Sequence, residues 1–192
     1  MNNHFVREFM LDDEQKTFLK ERYEQVKHSL KRATVTDADN PDNNKGVVSG
    51  RRNCDHAPFS YKDSPDISLS LLEYIEDLDP NYPEDLWFAQ YEFIKYEGVD
   101  SKFEKHNDAD QEGHVRGGSQ RLYTSITMID RSEDLLGCVL KIWTPCGKEY
   151  VVDLEPFETV IFPAYYMHEA TPLISGTRVV LVSWAQSGRN RG

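Results

Sequence analysis

Along residues 12–32 the apolar side chains Phe18, Leu19, Tyr23, Val26 and Leu30 recur at helical spacing, and Asp12 followed by Gln15 has the layout of an N-terminal capping box. This pattern predicts an amphipathic helix. From Ala33 to about Ser64 the periodicity gives way to Asp, Asn, Gly, Pro and Ser, which predicts a loop of a length uncommon in compact domains. A second helix is expected over 66–79, where Ile67, Leu71, Tyr74, Ile75 and Leu78 stay in register until Pro80. Beyond Pro83 the runs shorten and become β-branched and aromatic. They predict strands near 86–96, 121–129, 138–143, 149–154, 157–163 and 178–186, separated by Gly and Pro turns.

Helices followed by strands argue for an α+β, mainly β domain in which a helical layer buttresses a β-sandwich or small barrel. We expect one domain over 1–192, with 1–85 as helical support carrying the 33–64 loop and 86–187 as the β core. Two strands alternate unusually. In 121–129 Leu122, Thr124, Ile126 and Met128 share one face, and Arg121, Tyr123, Ser125 and Thr127 the other, so neither is cleanly apolar. In 86–96 Trp87, Ala89, Tyr91 and Phe93 oppose Phe88, Gln90, Glu92, Ile94 and Tyr96. A polar row of that kind faces either solvent or a lined cavity.

Composition narrows the function. The 22 Lys+Arg against 33 Asp+Glu leave a formal charge of −11, the wrong sign for a protein that gains affinity by neutralising phosphates, so nucleic acid is not an expected partner. The 39% hydrophobic content, with 10 Tyr, 9 Phe and 3 Trp, indicates a folded chain. Apolar runs such as Val179–Val182 are far shorter than the ~20 residues that span a bilayer, and the N-terminus lacks the build of a signal peptide, so a cytoplasmic protein without a membrane partner is expected. Cys54, Cys138 and Cys146, with no Cys-x-x-Cys, suggest reduced and inert thiols.

Among six histidines, His106 has an acid two residues on, in His106-Asn107-Asp108. Alone this is a weak signal. Side chains at i and i+2 of an extended segment point the same way, however, and could present a nitrogen and an oxygen to one ion. His168, between two expected strands, supplies a possible third ligand, and two histidines with one carboxylate form the facial set of non-haem Fe(II) oxygenases. Ten residues later Arg178 opens a strand after Ser175-Gly176-Thr177, where its guanidinium could hold a carboxylate by two hydrogen bonds. Taken singly, His106 and His168 read as surface or core histidines and Arg178 as a strand-edge charge. His114 reads as solvated, Gly117-Gly118 lacks the pattern of a phosphate-binding loop, and Cys54-Asp55-His56 reads as polar loop.

With these residues in hand, the stretch 86–187 resembles the Fe(II)- and 2-oxoglutarate-dependent oxygenases, and within them the prolyl-hydroxylase group. The resemblance rests on His106-x-Asp108, on His168 followed by Ala-Thr-Pro, and on Arg178 after Gly-Thr. Tyr96 ten residues before His106, Arg121-x-x-Thr124-x-Ile126, Leu136-Gly137 and Trp184 add to it. Three positions depart from the group. Met128 stands where a tyrosine is common, Cys138 replaces a second glycine, and Glu97-Gly98 stands where Pro-Gly is common.

The resemblance implies a double-stranded β-helix, a distorted jelly roll. It implies Fe(II) held by His106, Asp108 and His168, with no catalytic group beyond these ligands. It implies 2-oxoglutarate as co-substrate on Arg178 and Tyr96, with Thr124 lining its pocket, and Arg121 and Trp184 toward the prime substrate. The implied reaction hydroxylates a C–H bond with O₂, 2-oxoglutarate leaving as succinate and CO₂, with ascorbate as an accompanying reductant. The expected substrate is a prolyl residue in a peptide or protein. The same chemistry on a free amino acid or other small molecule is one alternative, and a catalytically silent binding module on the same barrel is another. Oligomeric state is not legible in the sequence.

Overall fold

The computed structural model describes residues 7–34, 50–60, 65–109 and 120–188. In chain order the elements are β1 (Arg7–Met10), α1 (Asp13–Val26, followed by a 3-10 turn at Lys27–Ser29), β2 (Lys31–Arg32), β3 (Arg52–Asn53), β4 (Asp55–Ser60) and α2 (Pro65–Leu78). Then come β5 (Trp87–Glu97), β6 (Lys102–His106), β7 (Gln120–Arg131), β8 (Leu136–Gly137), β9 (Leu140–Trp143) and β10 (Glu149–Val152). The last are β11 (Glu158–Pro163), β12 (Met167–Ala170), β13 (Leu173–Ser175) and β14 (Thr177–Ser187). A seven-stranded sheet runs β1-β11-β7-β14-β5-β4-β2, a five-stranded sheet β10-β9-β12-β6-β3, and β13 pairs with β8. The two larger sheets form the jelly roll expected from the sequence, with helices against it.

The central strands of the seven-stranded sheet are buried on both faces. Ile94, Tyr96, Ile126, Met128, Val180 and Val182 pack into the cluster that includes Leu140 and Ile142 of the smaller sheet. On the opposite face Tyr91, Phe93, Ile129, Ile161, Val179 and Leu181 pack with Leu19 of α1 and Ile67, Leu71 and Ile75 of α2. Burial on both sides explains the unbroken run Val179–Val182, since every position from Arg178 to Gln186 is buried. It also explains the mixed faces of β7. Its polar residues pair across the ladder: Ser125 Oγ hydrogen-bonds Ser183 Oγ, and Thr127 Oγ1 meets Thr159 Oγ1 at 2.7 Å.

Two bulges correct the alternation read from the sequence. Between β14 and β7, Ala185 pairs with Tyr123 but Gln186 with Arg121, so Leu122 is an extra residue and Arg121 joins the face of Thr124. Between β14 and β5, Ser183 pairs with Tyr91 and Ala185 with Phe88, so Phe88 joins Tyr91 and Phe93 on the helix side rather than Glu92 and Tyr96.

The predicted first helix is shorter than expected. It carries the Asp12–Gln15 capping box but ends at Val26, and Lys31–Arg32 turn into a strand paired with His56 and Asp55. The predicted loop over 33–64 contains β3 and β4. Asp55 and His56 are therefore sheet residues, and Cys54, in the bend between β3 and β4, is buried; residues 35–49 and 61–64 lie outside the described set. Only Ala57 and Phe59 of β4 are buried, and Pro58 interrupts the run, which is too little apolar patterning to read as a strand. The expected strand over 138–143 begins at Leu140, because Gly137 and Cys138 both have positive φ, 81° and 51°. Among the described residues no helix is long and apolar enough to cross a membrane.

That bend aims a carbonyl. Cys138 O accepts a hydrogen bond from Arg178 Nη1 at 2.6 Å, and a Cβ on Gly137 would fall 2.3 Å from the Pro172 carbonyl oxygen. Gly147 has a similar φ of 85° but open space around it. Gly137→Ala is expected to cost about 3 kcal/mol and Gly147→Ala about 1 kcal/mol, the first adding a backbone clash to the shared left-handed penalty. Thermal unfolding of the two variants measures the difference.

Candidate active site

β6 ends at His106, and its ladder with β12 sets His106 directly opposite His168 before the register shifts toward Ala170. The segment after β6 is tied to the turn that follows β11: Asp108 N donates to Ala164 O at 2.9 Å, and Ala164 N donates to Leu122 O at 2.8 Å. Asp108 is thereby brought against both imidazoles. His106 Nε2 lies 3.6 Å from Asp108 Oδ1, His168 Nε2 lies 3.4 Å from Asp108 Oδ2, and one ligand atom from each residue falls within 4.8 Å of the others.

Each imidazole is held by its far nitrogen. His106 Nδ1 contacts Glu104 O at 2.7 Å, and His168 Nδ1 contacts Tyr166 O at 3.1 Å. A carbonyl only accepts, so Nδ1 carries the proton and Nε2 keeps its lone pair for the centre. Burial pushes the His168 pKa down against the pull of Asp108, which also favours the neutral ring. Burial works against the Asp108 charge, yet His168 and then His106 more than offset it, and its carboxyl sits well below the usual carboxylate range. Thr124 Oγ1 donates to Asp108 Oδ2 at 2.8 Å. Phe103 stacks on the His106 ring at 3.7 Å, and Phe162 meets His168 edge-on at 5.0 Å. Two neutral imidazole nitrogens and a carboxylate oxygen fit a divalent transition metal, so His106, Asp108 and His168 could hold iron.

These residues line a cavity of about 150 Å³, which runs along β14 from Arg178 past Val180 and Val182 to Trp184. Arg178 is 3% exposed, donates one hydrogen bond to Cys138 O, leaves its buried Nε unpaired and meets no carboxylate among the described residues. A buried guanidinium without an acid partner is costly, and a dicarboxylate is a ligand that would relieve it. Tyr96 pairs with Arg178 across β5 and β14, and burial, with Cys54 and Cys138 nearby, raises its phenol far enough to remain an O–H donor. Arg121 lies over the Trp184 ring at 4.1 Å.

No protein-family model and no curated protein matches the sequence. Solved structures do match. A prolyl-4-hydroxylase of Pseudomonas putida aligns at TM-score 0.69 and 17% identity, over 96% of this chain and 94% of that one. A prolyl hydroxylase of Trichoplax adhaerens, solved with a peptide fragment of hypoxia inducible factor, aligns at 0.66 and 14% identity over 96% and 84%. The non-heme alpha ketoglutarate dependent epimerase SnoN of nogalamycin biosynthesis aligns at 0.63 and 13% identity over 98% and 81%. The fold is that of the 2OG-Fe(II) oxygenases.

Within this oxygenase fold, His106, Asp108, His168, Tyr96, Arg178, Arg121 and Trp184 line one cavity. Thr124, set by the resemblance in the co-substrate pocket, instead directs its hydroxyl to Asp108. His114 and Gly117-Gly118 lie outside the described residues.

Sequence reasoning missed the ion pair in the cavity wall. Arg52 Nη2 donates to Glu92 Oε2 at 2.8 Å and Nη1 to Thr34 O at 3.3 Å, while the guanidinium lies over Phe103 at 5.0 Å. Arg52 stood in the predicted loop. Glu92 was legible only as one member of the row that also holds Ile94 and Tyr96. Burial raises the Glu92 carboxyl, but His56, whose Nδ1 is 3.7 Å away, and Arg52 together bring it below the ordinary value.

A lowered folded-state pKa stabilises the protein above the ordinary carboxylate range, and that stability is lost as pH falls through the folded value. Glu92→Gln is expected to cost about 3 kcal/mol at pH 7, by leaving Arg52 unpaired, and progressively less toward pH 3. The gap between wild-type and variant melting temperatures across that range measures it.

Proposed function

We propose that this chain is an Fe(II)- and 2-oxoglutarate-dependent dioxygenase that hydroxylates a C–H bond, with a prolyl residue of a peptide or protein as its substrate. The observation that carries the reading is one cavity holding both a facial His106/Asp108/His168 set and a buried Arg178 with no acid partner among the described residues. Iron bound there supplies the O₂-dependent oxidation, with 2-oxoglutarate converted to succinate and CO₂.

The chain's residues divide the remaining work. His106, Asp108 and His168 hold the metal. Glu104 O and Tyr166 O keep both imidazoles in the ligating tautomer, and Thr124 orients the Asp108 carboxylate. Arg178 binds the far carboxylate of the co-substrate, aided by the neutral Tyr96 hydroxyl. Met128 stands where the prolyl hydroxylases commonly carry a tyrosine that donates to the co-substrate, which leaves Tyr96 to supply the hydroxyl. Apolar walls at Ile94, Ile126, Val180 and Val182 exclude water from the centre. Arg121 and Trp184 face the prime substrate.

A prolyl substrate is supported by the likeness to the Pseudomonas and Trichoplax hydroxylases, the second of which was solved with a peptide. The comparable likeness to the SnoN epimerase favours a second reading, the same cofactors used on a small molecule. The length of substrate needed for oxidation separates them.

Anaerobic addition of Fe(II) and then 2-oxoglutarate is expected to produce the visible charge-transfer band of the chelate. Asp108→Ala is expected to abolish the band, and Arg178→Met to weaken 2-oxoglutarate binding by at least about tenfold. A wild-type protein that forms no band refutes the reading. Loss of the hydroxyl in Thr124→Val is expected to weaken metal binding about 10–100-fold, measured by calorimetric titration with Fe(II).

A further inference from the structure

The two imidazoles of the site are held unequally. His168 lies on β12 between β9 and β6 and is 5% exposed. His106 ends β6, whose neighbour on the far side is the two-residue β3, and its side chain is 18% exposed. A ring so placed needs a further hold, because metal affinity depends on what orients each ligand.

Part of that hold comes from a bulge in β6. His106 pairs with His168 and Phe103 with Ala170, so three steps along β6 match two along β12. Strict alternation would put Phe103 and His106 on opposite faces of the strand. The bulge instead stacks their rings at 3.7 Å and 20°, and leaves Glu104 O 2.7 Å from His106 Nδ1.

Phe103 is held in turn. Arg52 pairs with it across β3 and β6, and the guanidinium lies over its ring at 5.0 Å. Nη2 donates to Glu92 Oε2 at 2.8 Å and Nη1 to Thr34 O at 3.3 Å. A guanidinium is flat, so bonds to two of its nitrogens fix its plane as well as its place. Arg52 belongs to the smaller sheet and Glu92 to the larger, so the pair also joins the two sheets beside the site.

We propose that Arg52 is a positioning residue for the metal centre: anchored on Glu92, it clamps Phe103 against His106 and so fixes the orientation in which that imidazole meets the metal. The inference rests on the oxygenase reading. Desolvation offsets much of the attraction within a buried ion pair, so the consequence to measure is the placement of the ring rather than a gain in stability.

Arg52→Lys separates the two, since it keeps a cation for Glu92 but loses the flat group over Phe103. In anaerobic calorimetric titration with Fe(II), Arg52→Lys and Phe103→Leu are each expected to bind about tenfold more weakly than wild type. The double variant is expected to lose no more than about twofold beyond Phe103→Leu alone, because one residue acts through the other. Nitrogen NMR of the histidine rings in the metal-free protein supplies a selective readout. His106 is expected to lose its single Nδ1–H form in Arg52→Lys, while His168 keeps its own.

Fe(II) affinity within about twofold of wild type in Arg52→Lys overturns the proposal. So does a loss that is undiminished in the Phe103→Leu background, and so does an equal change in both histidine rings. If Arg52→Lys does not fold, Phe103→Leu decides the matter, since it leaves the Arg52–Glu92 bond in place: wild-type affinity there overturns the proposal. A wild type that takes up no Fe(II) sinks both readings, and one that binds Fe(II) without forming the charge-transfer band refutes the oxygenase reading alone.

Discussion

The pairing of β6 with β12 is the constraint on which the site depends, because it sets His106 opposite His168 across one ladder. Side chains alternate along a strand, so a slip of one residue would carry His168 from the cavity to the outer face and leave Asp108 with one imidazole. The register is held from both sides. β12 also pairs with β9, His168 against Ile142, and Asp108 N is fastened to Ala164 O. Three polar groups can then sit together in a buried place because their outer atoms are answered by Glu104 O, Tyr166 O and Thr124 Oγ1.

The surrounding sheet makes that precision possible. With apolar clusters on both faces, the central strands of the seven-stranded sheet are packed from either side, and the inner face can carry charged residues at the two ends of an otherwise apolar wall. Arg52–Glu92 belongs to that wall and is an expensive element, since desolvating two charges offsets much of their attraction. Its return is positional. The Arg52 guanidinium covers Phe103, whose ring stacks on His106, so the pair backs a proposed metal ligand through an aromatic spacer.

Much of this was legible in the sequence. The second helix and the six predicted strands were written in apolar periodicity, and the His106, Asp108, His168 and Arg178 spacing pointed to one site before any contact was known. What was hidden follows a physical pattern. β3, β6, β12 and β13 are short or carry the polar site residues themselves, so they lack the apolar repeat that marks a strand. Arg52 reaches the cavity through β3, a two-residue strand embedded in Gly, Asp and Asn. Arg121 was assigned the wrong face because strict alternation cannot register the bulge at Leu122. A polar row with Glu92 between Ile94 and Phe88 looked half-solvated, when bulging moved Phe88 away and the cavity accounted for Glu92.

Net charge illustrates the same gap between composition and site. A chain at −11 points, by its overall field, toward basic partners. Yet that field is a sum over surface groups and is screened in salt with a length of about 8 Å. Inside the cavity the dielectric is lower, and the balance is set by five charged residues, Arg52, Glu92, Asp108, Arg121 and Arg178, rather than by the fifty-five of the whole chain. The surface governs how a ligand approaches, and the cavity governs which one is held there.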